Sequence, residues 1–213
     1  MKGVFVTGSN TGVGKTTVAI EIVRRISQTR DVKVRKPVET NCELTEQGYM
    51  PKDAIALSAA CQLKEPINRV CPYCFESEAS AELASTNSGE RLILEDLVSA
   101  CKSDVDESFV LVEGAGGIYS PIAEEALNVD LAIELKLPLL IVILDELGAI
   151  SQALLSLEAA KKNKLTVACI VLNVVKSNKL SNKEALTAYT DTPIISFSSG
   201  DLKAFCSEIE KLV

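Results

Sequence analysis

Gly8-Ser9-Asn10-Thr11-Gly12-Val13-Gly14-Lys15-Thr16-Thr17 is the segment whose residue types could do chemistry most directly. Glycines let a backbone curl until successive N–H groups point inward, and those amides, with a helix N-terminus behind them, bind phosphate oxygens. Thr11, Gly12, Val13, Gly14, Thr16 and Thr17 are the loop residues expected to do this. Lys15 is expected to reach the β and γ oxygens of a nucleotide, and the Thr16 hydroxyl to ligate Mg²⁺. Five residues separate Gly8 from Gly14, against four in the usual phosphate loop; some P-loop families have the longer loop.

Such a loop is meaningful only between a strand and a helix. Gly3 to Thr7 reads as a buried strand. Lys15 to Gln28 places Val18, Ala19, Ile22, Val23 and Ile26 on one helical stripe. Val32 to Val38 reads as a second strand, its end marked by Pro37, which cannot donate to a central ladder. Phe109–Glu113, Leu139–Leu144 and Val167–Leu172 read as further strands, with a short one at Pro193–Phe197. Most are continuous apolar runs, the pattern of a parallel sheet covered on both faces. Arg91–Lys102, Val129–Leu135, Ala149–Lys162 and a segment after Asp201 supply helices, and the Ser-, Glu- and Ala-rich residues 76 to 90 read as a polar surface excursion. The expected fold is α/β and P-loop NTPase-like: one doubly wound domain over 1–213, with a mostly parallel sheet and helices on both faces.

Ligands of open α/β sheets bind beyond the carboxyl ends of the strands. Lys36-Pro37-Val38-Glu39-Thr40 follows the second strand and Glu113-Gly114-Ala115-Gly116-Gly117 ends the third. Asp145-Glu146-Leu147-Gly148 follows the fourth and Asn173 the fifth. Glu113 is a Walker-B-like acid, one strand from the loop. Thr16 and Glu113 offer hard oxygens to Mg²⁺, and Asp53, expected at a helix start, offers a third. Lys36 can stabilise charge on a transferring phosphoryl group or an anionic acceptor. It is expected in the site and not in the core, and its neighbours Lys33 and Arg35 are expected to be solvated.

Composition removes other chemistries. Histidine is absent, which excludes Ser-His-Asp triads, Cys-His dyads and His-ligated metals. Acids outnumber Lys and Arg by 29 to 22, which argues against nucleic acid as a partner. The longest apolar run, Leu137 to Leu144, is broken by Pro138 and too short to span a bilayer, so no membrane partner is expected. The seven cysteines are an odd number, irregularly spaced, and no secretory leader is evident at the N-terminus. Reduced thiols and a cytoplasmic location are expected. Cys71 and Cys74 form a CxxC without the further ligands of a zinc site or the helix of a redox site, and read as two small half-buried side chains.

The chain resembles the ATP-dependent dethiobiotin synthetases. The residues that carry the resemblance are Gly8-x5-Gly14-Lys15-Thr16, Lys36-Pro37-Val38, Asp53-Ala54-Ile55-Ala56-Leu57, Val70-Cys71-Pro72-Tyr73-Cys74-Phe75, Val112-Glu113-Gly114-Ala115-Gly116-Gly117 and Leu147-Gly148-Ala149-Ile150. The resemblance runs from about residue 3 to 175 and implies a reaction. 7,8-Diaminononanoate takes up CO₂ as a carbamate, ATP phosphorylates the carbamate, and the second amine closes a ureido ring. It also implies a residue set: Lys36 and Lys15 on carbamate and γ-phosphate; Thr16, Asp53 and Glu113 on Mg²⁺; Gly114, Ala115 and Gly116 beside the nucleotide. Thr40 would touch the diamine and Asn173 the nucleobase. The family is a homodimer, so Gly148, Ala149 and Ile150 would hold the carboxylate of a substrate bound to the partner. Departures include Asn10 for a common aspartate, Ser80-Ala81-Glu82 for a Ser-Pro and histidine stretch, and Pro193 to Ser199 for a Gly-x-x-Pro turn. They leave the phosphate-binding residues intact. The alternative is a partitioning-type nucleotide-switch ATPase acting through a protein partner. That family's signature lysine, five residues before the loop lysine, is Asn10 here.

Overall fold

The computed structural model describes residues 1–176 and 178–212; Ser177 and Val213, both within the expected single unit, lie outside the described residues. In chain order the elements are β1 (Lys2–Gly8), α1 (Lys15–Ile26), β2 (Val32–Arg35), β3 (Val38–Glu39), β4 (Glu43–Thr45), β5 (Gly48–Met50), α2 (Lys52–Ala60), α3 (Ile67–Val70) and β6 (Tyr73–Cys74). There follow α4 (Ala81–Asn87), α5 (Leu94–Lys102), β7 (Phe109–Gly117), β8 (Pro121–Ala123), β9 (Ala126–Leu127), α6 (Asn128–Leu135) and β10 (Leu139–Leu144). The last are α7 (Ala149–Lys162), β11 (Val167–Asn173), α8 (Asn182–Leu186), β12 (Ile194–Phe197) and α9 (Leu202–Ile209).

The main sheet is parallel throughout, in the order β12-β11-β10-β1-β7-β2. Strand side chains alternate between its faces, so an apolar run feeds two cores. Val4, Val6, Leu111, Val142 and Val171 pack with α1, α2 and α9. Phe5, Val110, Val112, Ile141 and Ile170 pack with α5, α6 and α7 on the other face. Both layers are apolar, as continuous hydrophobic strands require.

Four expectations are corrected. The second strand stops at Arg35; Lys36 N donates to Val70 O (2.8 Å), and Val38–Glu39 leaves the main sheet to pair in parallel with β6. Pro37 has no N–H to continue the ladder, so the chain turns out at the strand's carboxyl end. β7 runs on through its glycines to Gly117. Residues 76 to 90 are not merely an excursion: they contain α4, which buries Ala81, Ala84 and Ser85. Arg35 is not solvated. It is 1% exposed, forks onto both Glu65 oxygens (2.7 and 3.2 Å) and donates to Ser103 O (2.8 Å). Cys71 and Cys74 are buried and half-buried, with sulfurs 3.6 Å apart. Among the described residues no helix is long and apolar enough to cross a membrane.

Candidate active site

β1 delivers the phosphate loop to α1, and Gly14 is the hinge between them. Its φ of 88° lies in the left-handed region, and a Cβ there would overlap the Asn173 side-chain nitrogen. Only glycine meets both demands. Asn173, at the end of β11, donates from Nδ2 to Val13 O (2.9 Å) and so braces the loop from beneath. From α7, Gln152 accepts a hydrogen bond from the Ser9 hydroxyl (2.7 Å).

Four functional groups meet beside this loop. Glu113 is fully buried, and its Oε1 accepts from both the Thr16 hydroxyl and Lys36 Nζ, each at 2.8 Å. Lys36 Nζ also donates to Gly114 O (3.1 Å) and lies 3.9 Å from Asp53 Oδ2. The expectation that Lys36 stands apart from the core is corrected here. It is 4% exposed, because Pro37 turns the chain just where its side chain meets Glu113. Burial pushes the Lys36 ammonium down, but Glu113 and Asp53 outweigh it and hold the pKa above the ordinary lysine value. Lys15 makes no ion pair among the described residues, and the more distant Glu113 and Asp53 charges only partly support it. Burial and then the nearby Lys36 charge lower its pKa to about 8, and Nζ rests on Asn10 O (3.3 Å).

Thr11, Gly12, Gly14, Lys15, Thr16, Thr17, Lys36, Thr40, Asp53, Glu113, Ala115 and Gly116 line one cleft of about 650 Å³. Val13, Gly114 and Asn173 are not among its lining residues. They hold it from behind, through the Val13 and Gly114 carbonyls and the Asn173 amide. Gly148, Ala149 and Ile150 open α7 away from the cleft lining, with Gly148 at φ 98°. The Ala149 amide is already donated to Glu146 O (3.1 Å), so the helix start offers fewer open amides than the sequence suggests.

Two residues escaped the sequence reading. Asn128 is fully buried and clamps the glycine run: Oδ1 accepts from Ala115 N (3.1 Å), and Nδ2 donates to the carbonyls of Ala115 and Gly117. Its signal was a polar residue directly before the apolar stripe from Val129. Glu39 accepts from the backbone N–H groups of Asp53 and Ala54, both at 2.9 Å. Burial raises its pKa, against the pull of those two amides. It stood in the Lys36–Thr40 stretch without a role.

The donor set suits Mg²⁺. A hydroxyl and two carboxylates are hard oxygens, and Glu113 Oε2 is a buried oxygen with no hydrogen-bond partner among the described residues. No group of three or more His, Cys, Asp or Glu among the described residues could hold a metal alone. An ion held by few side chains and by substrate phosphates fits that arrangement.

A family model described as an AAA domain matches residues 2–197. The ATP-dependent dethiobiotin synthetase BioD of Ruthia magnifica is 47% identical over 213 residues, 100% of this chain and 99% of that protein. That of Vesicomyosocius okutanii is 46% identical over 100% of this chain and 97% of its own. The chain belongs to the ATP-dependent dethiobiotin synthetases. Like them it is an ATP-dependent ligase. Solved structures share the P-loop fold of this synthetase. The cell division ATPase MinD of Pyrococcus furiosus superposes with a TM-score of 0.59 at 16% identity, over 100% of both chains. A ParA family ATPase of Chlorobium tepidum gives 0.56 at 15%, over 99% of this chain and 91% of that one. At such identity these likenesses concern the fold alone.

Proposed function

We propose that the cleft carries out the Mg²⁺- and ATP-dependent carboxylation and ring closure of 7,8-diaminononanoate with CO₂. The observation that carries this reading is the buried Lys36–Glu113 pair (2.8 Å) beside the loop lysine, on the wall that the glycine run opens to substrate.

One amine adds to CO₂ and loses a proton, giving a carbamate. A carbamate oxygen attacks the γ-phosphorus as the bond to the ADP oxygen breaks, giving a carbamic–phosphoric anhydride. The second amine attacks the carbonyl carbon, loses a proton and expels phosphate, closing the ureido ring. The substrate brings its own nucleophiles, so the protein has to position reactants and neutralise charge. Lys15 holds the γ-phosphate against the loop amides of Thr11, Gly12, Val13, Gly14, Thr16 and Thr17. Lys36, held by Glu113, presents its ammonium to the carbamate and the transferring phosphoryl group. Thr16, Asp53 and Glu113 would hold Mg²⁺, which when bound supplies charge neutralisation on the phosphate oxygens. Thr40 lies on the diamine side, Gly114, Ala115 and Gly116 follow the nucleotide, and Asn173 offers its amide oxygen to the base. The assembly is a homodimer in which Gly148, Ala149 and Ile150 of one subunit take the carboxylate of a diamine bound in the other, as a unit over residues 1–213 in a cytoplasmic setting.

Phosphate release decides the matter. It is expected only when the diamine and bicarbonate are both present with Mg²⁺ and ATP. Release that ignores both, and responds to a protein partner instead, would mean a nucleotide switch.

A further inference from the structure

Glu39 does nothing in the reaction as written, yet it is a buried carboxylate with both oxygens in use three residues after Lys36. Its oxygens take the Asp53 and Ala54 N–H groups one each, at 2.9 Å. Those are first-turn amides of α2, and a helix start leaves such donors without intrahelical partners. The residue in the cap position of α2 is Pro51, which supplies no side-chain hydrogen bond. The cap therefore comes from another element. A carboxylate suits that place because the helix N-terminus carries partial positive charge.

The clamp is itself anchored. Glu39 pairs with Cys74 across β3 and β6, and its carbonyl accepts from Phe75 N (3.0 Å). The Cys42 thiol donates to the same carbonyl (3.4 Å). The Asp53 side chain, by contrast, is half exposed, and its nearest charged partner is Lys36 Nζ at 3.9 Å. What fixes the direction of Asp53 is thus its backbone, and what fixes its backbone is Glu39. One short segment, Lys36 to Glu39, sets both the ammonium on Glu113 and the acid across the cleft from it.

We infer that Glu39 is a positioning residue for the divalent-ion site: it clamps the start of α2 so that the Asp53 carboxylate is held at the place where Thr16 and Glu113 also offer oxygen. This rests on the reading of Asp53 as a metal ligand. Groups that orient a ligand without touching the ion affect affinity by roughly ten- to a hundredfold.

The test uses Glu39→Gln, which keeps the volume but sets an NH₂ against one of the two N–H groups, and Glu39→Ala. The first readout needs no ligand: amide hydrogen exchange at Asp53 and Ala54. Exchange there is expected to quicken by about tenfold or more, with the α1 amides unchanged. The second is equilibrium binding of a non-hydrolysable ATP analogue as Mg²⁺ is titrated. The Mg²⁺ midpoint is expected to rise by about tenfold in Glu39→Gln, and by at least as much in Asp53→Ala. Added to Asp53→Ala, Glu39→Gln is expected to change the midpoint by less than about twofold, since neighbours that act through one contact do not add. Unchanged exchange at the two amides, or a midpoint that moves in Asp53→Ala but not in Glu39→Gln, overturns the inference. If Asp53→Ala leaves the midpoint in place while Glu39→Gln frees the amides, the metal-ligand reading of Asp53 is what has failed, and the positioning role falls with it.

Discussion

Lys36 shows how far one side chain is tied to its partners. Its ammonium neutralises a fully buried Glu113, so removing it does two things. It strips the site of a charge where the proposed reaction would develop negative charge, and it leaves a carboxylate buried without its counter-ion. Lys36→Ala is expected to lower turnover by at least about a hundredfold. It is also expected to lower stability by about 3 kcal/mol, read by urea unfolding. The second effect is invisible from sequence, where Lys36 looks like a site residue free of the core. Lys36→Arg separates the two. A guanidinium keeps the charge but spreads its donors over a planar fork, so stability should return while turnover stays low. Turnover restored together with stability would reduce Lys36 to a counter-ion for Glu113. The reach of sequence reasoning at this scale is clear from the same cluster. Lys15, Thr16, Lys36, Asp53 and Glu113 all line the cleft because each sits next to a strand end or helix start that the apolar pattern marks. Glu39 and Asn128 escaped because their work is done on backbone N–H and C=O groups of other elements, and no residue spacing encodes such a contact.

Elements set where these residues stand, and β2 is the instructive one. The strands β1, β10 and β11 and the helices α1 and α7 follow from apolar runs and stripes, since a doubly covered parallel sheet needs little else. The end of β2 does not follow so simply. Val38 continues the apolar run, but Pro37 and the Lys36 N to Val70 O bond take the chain out of the sheet at Arg35. Arg35 and Lys33, two residues apart on the strand, share the face that meets Glu65, and neither is solvated as expected: Lys33 is half-buried and donates to Asp104 O. The fork of Arg35 onto Glu65 fastens the segment after α2 to the strand that leads to Lys36. Cutting a buried pair on one side leaves the other charge stranded. Glu65→Ala is therefore expected to cost about 3–5 kcal/mol by urea unfolding. Turnover per folded molecule should fall only slightly, because Arg35 does not line the cleft. A loss of activity as large as that of Lys36→Ala, with stability intact, would show that Arg35 acts on the site and not on the strand.

At the scale of the whole molecule, the cleft gathers the loop residues, two lysines and the acids in one place, but α7 opens outside its lining. Gln152 ties the same helix to the loop through Ser9, so its start is held in register with the glycine-rich loop. Leu147, just before α7, is 87% exposed, and Leu155 within it is 69% exposed. Large side chains left in water at this density on one element suit a surface covered by a second copy. If the proposed homodimer buries this helix, and if the carboxylate of each diamine is held by the α7 start of the other subunit, then breaking the pair should split the two substrates. The double variant Leu147→Glu and Leu155→Glu is expected to sediment as a monomer, because like charges would face each other across a two-fold interface. Binding of Mg²⁺ and a non-hydrolysable ATP analogue should remain within about twofold of the original, since the contacts proposed for them lie within one chain. Diamine affinity should fall by at least about tenfold, the scale of a lost charge-assisted contact. An unaltered protein that sediments as a monomer and turns over at full rate would sink the shared site, and so would a monomeric variant that still binds the diamine normally.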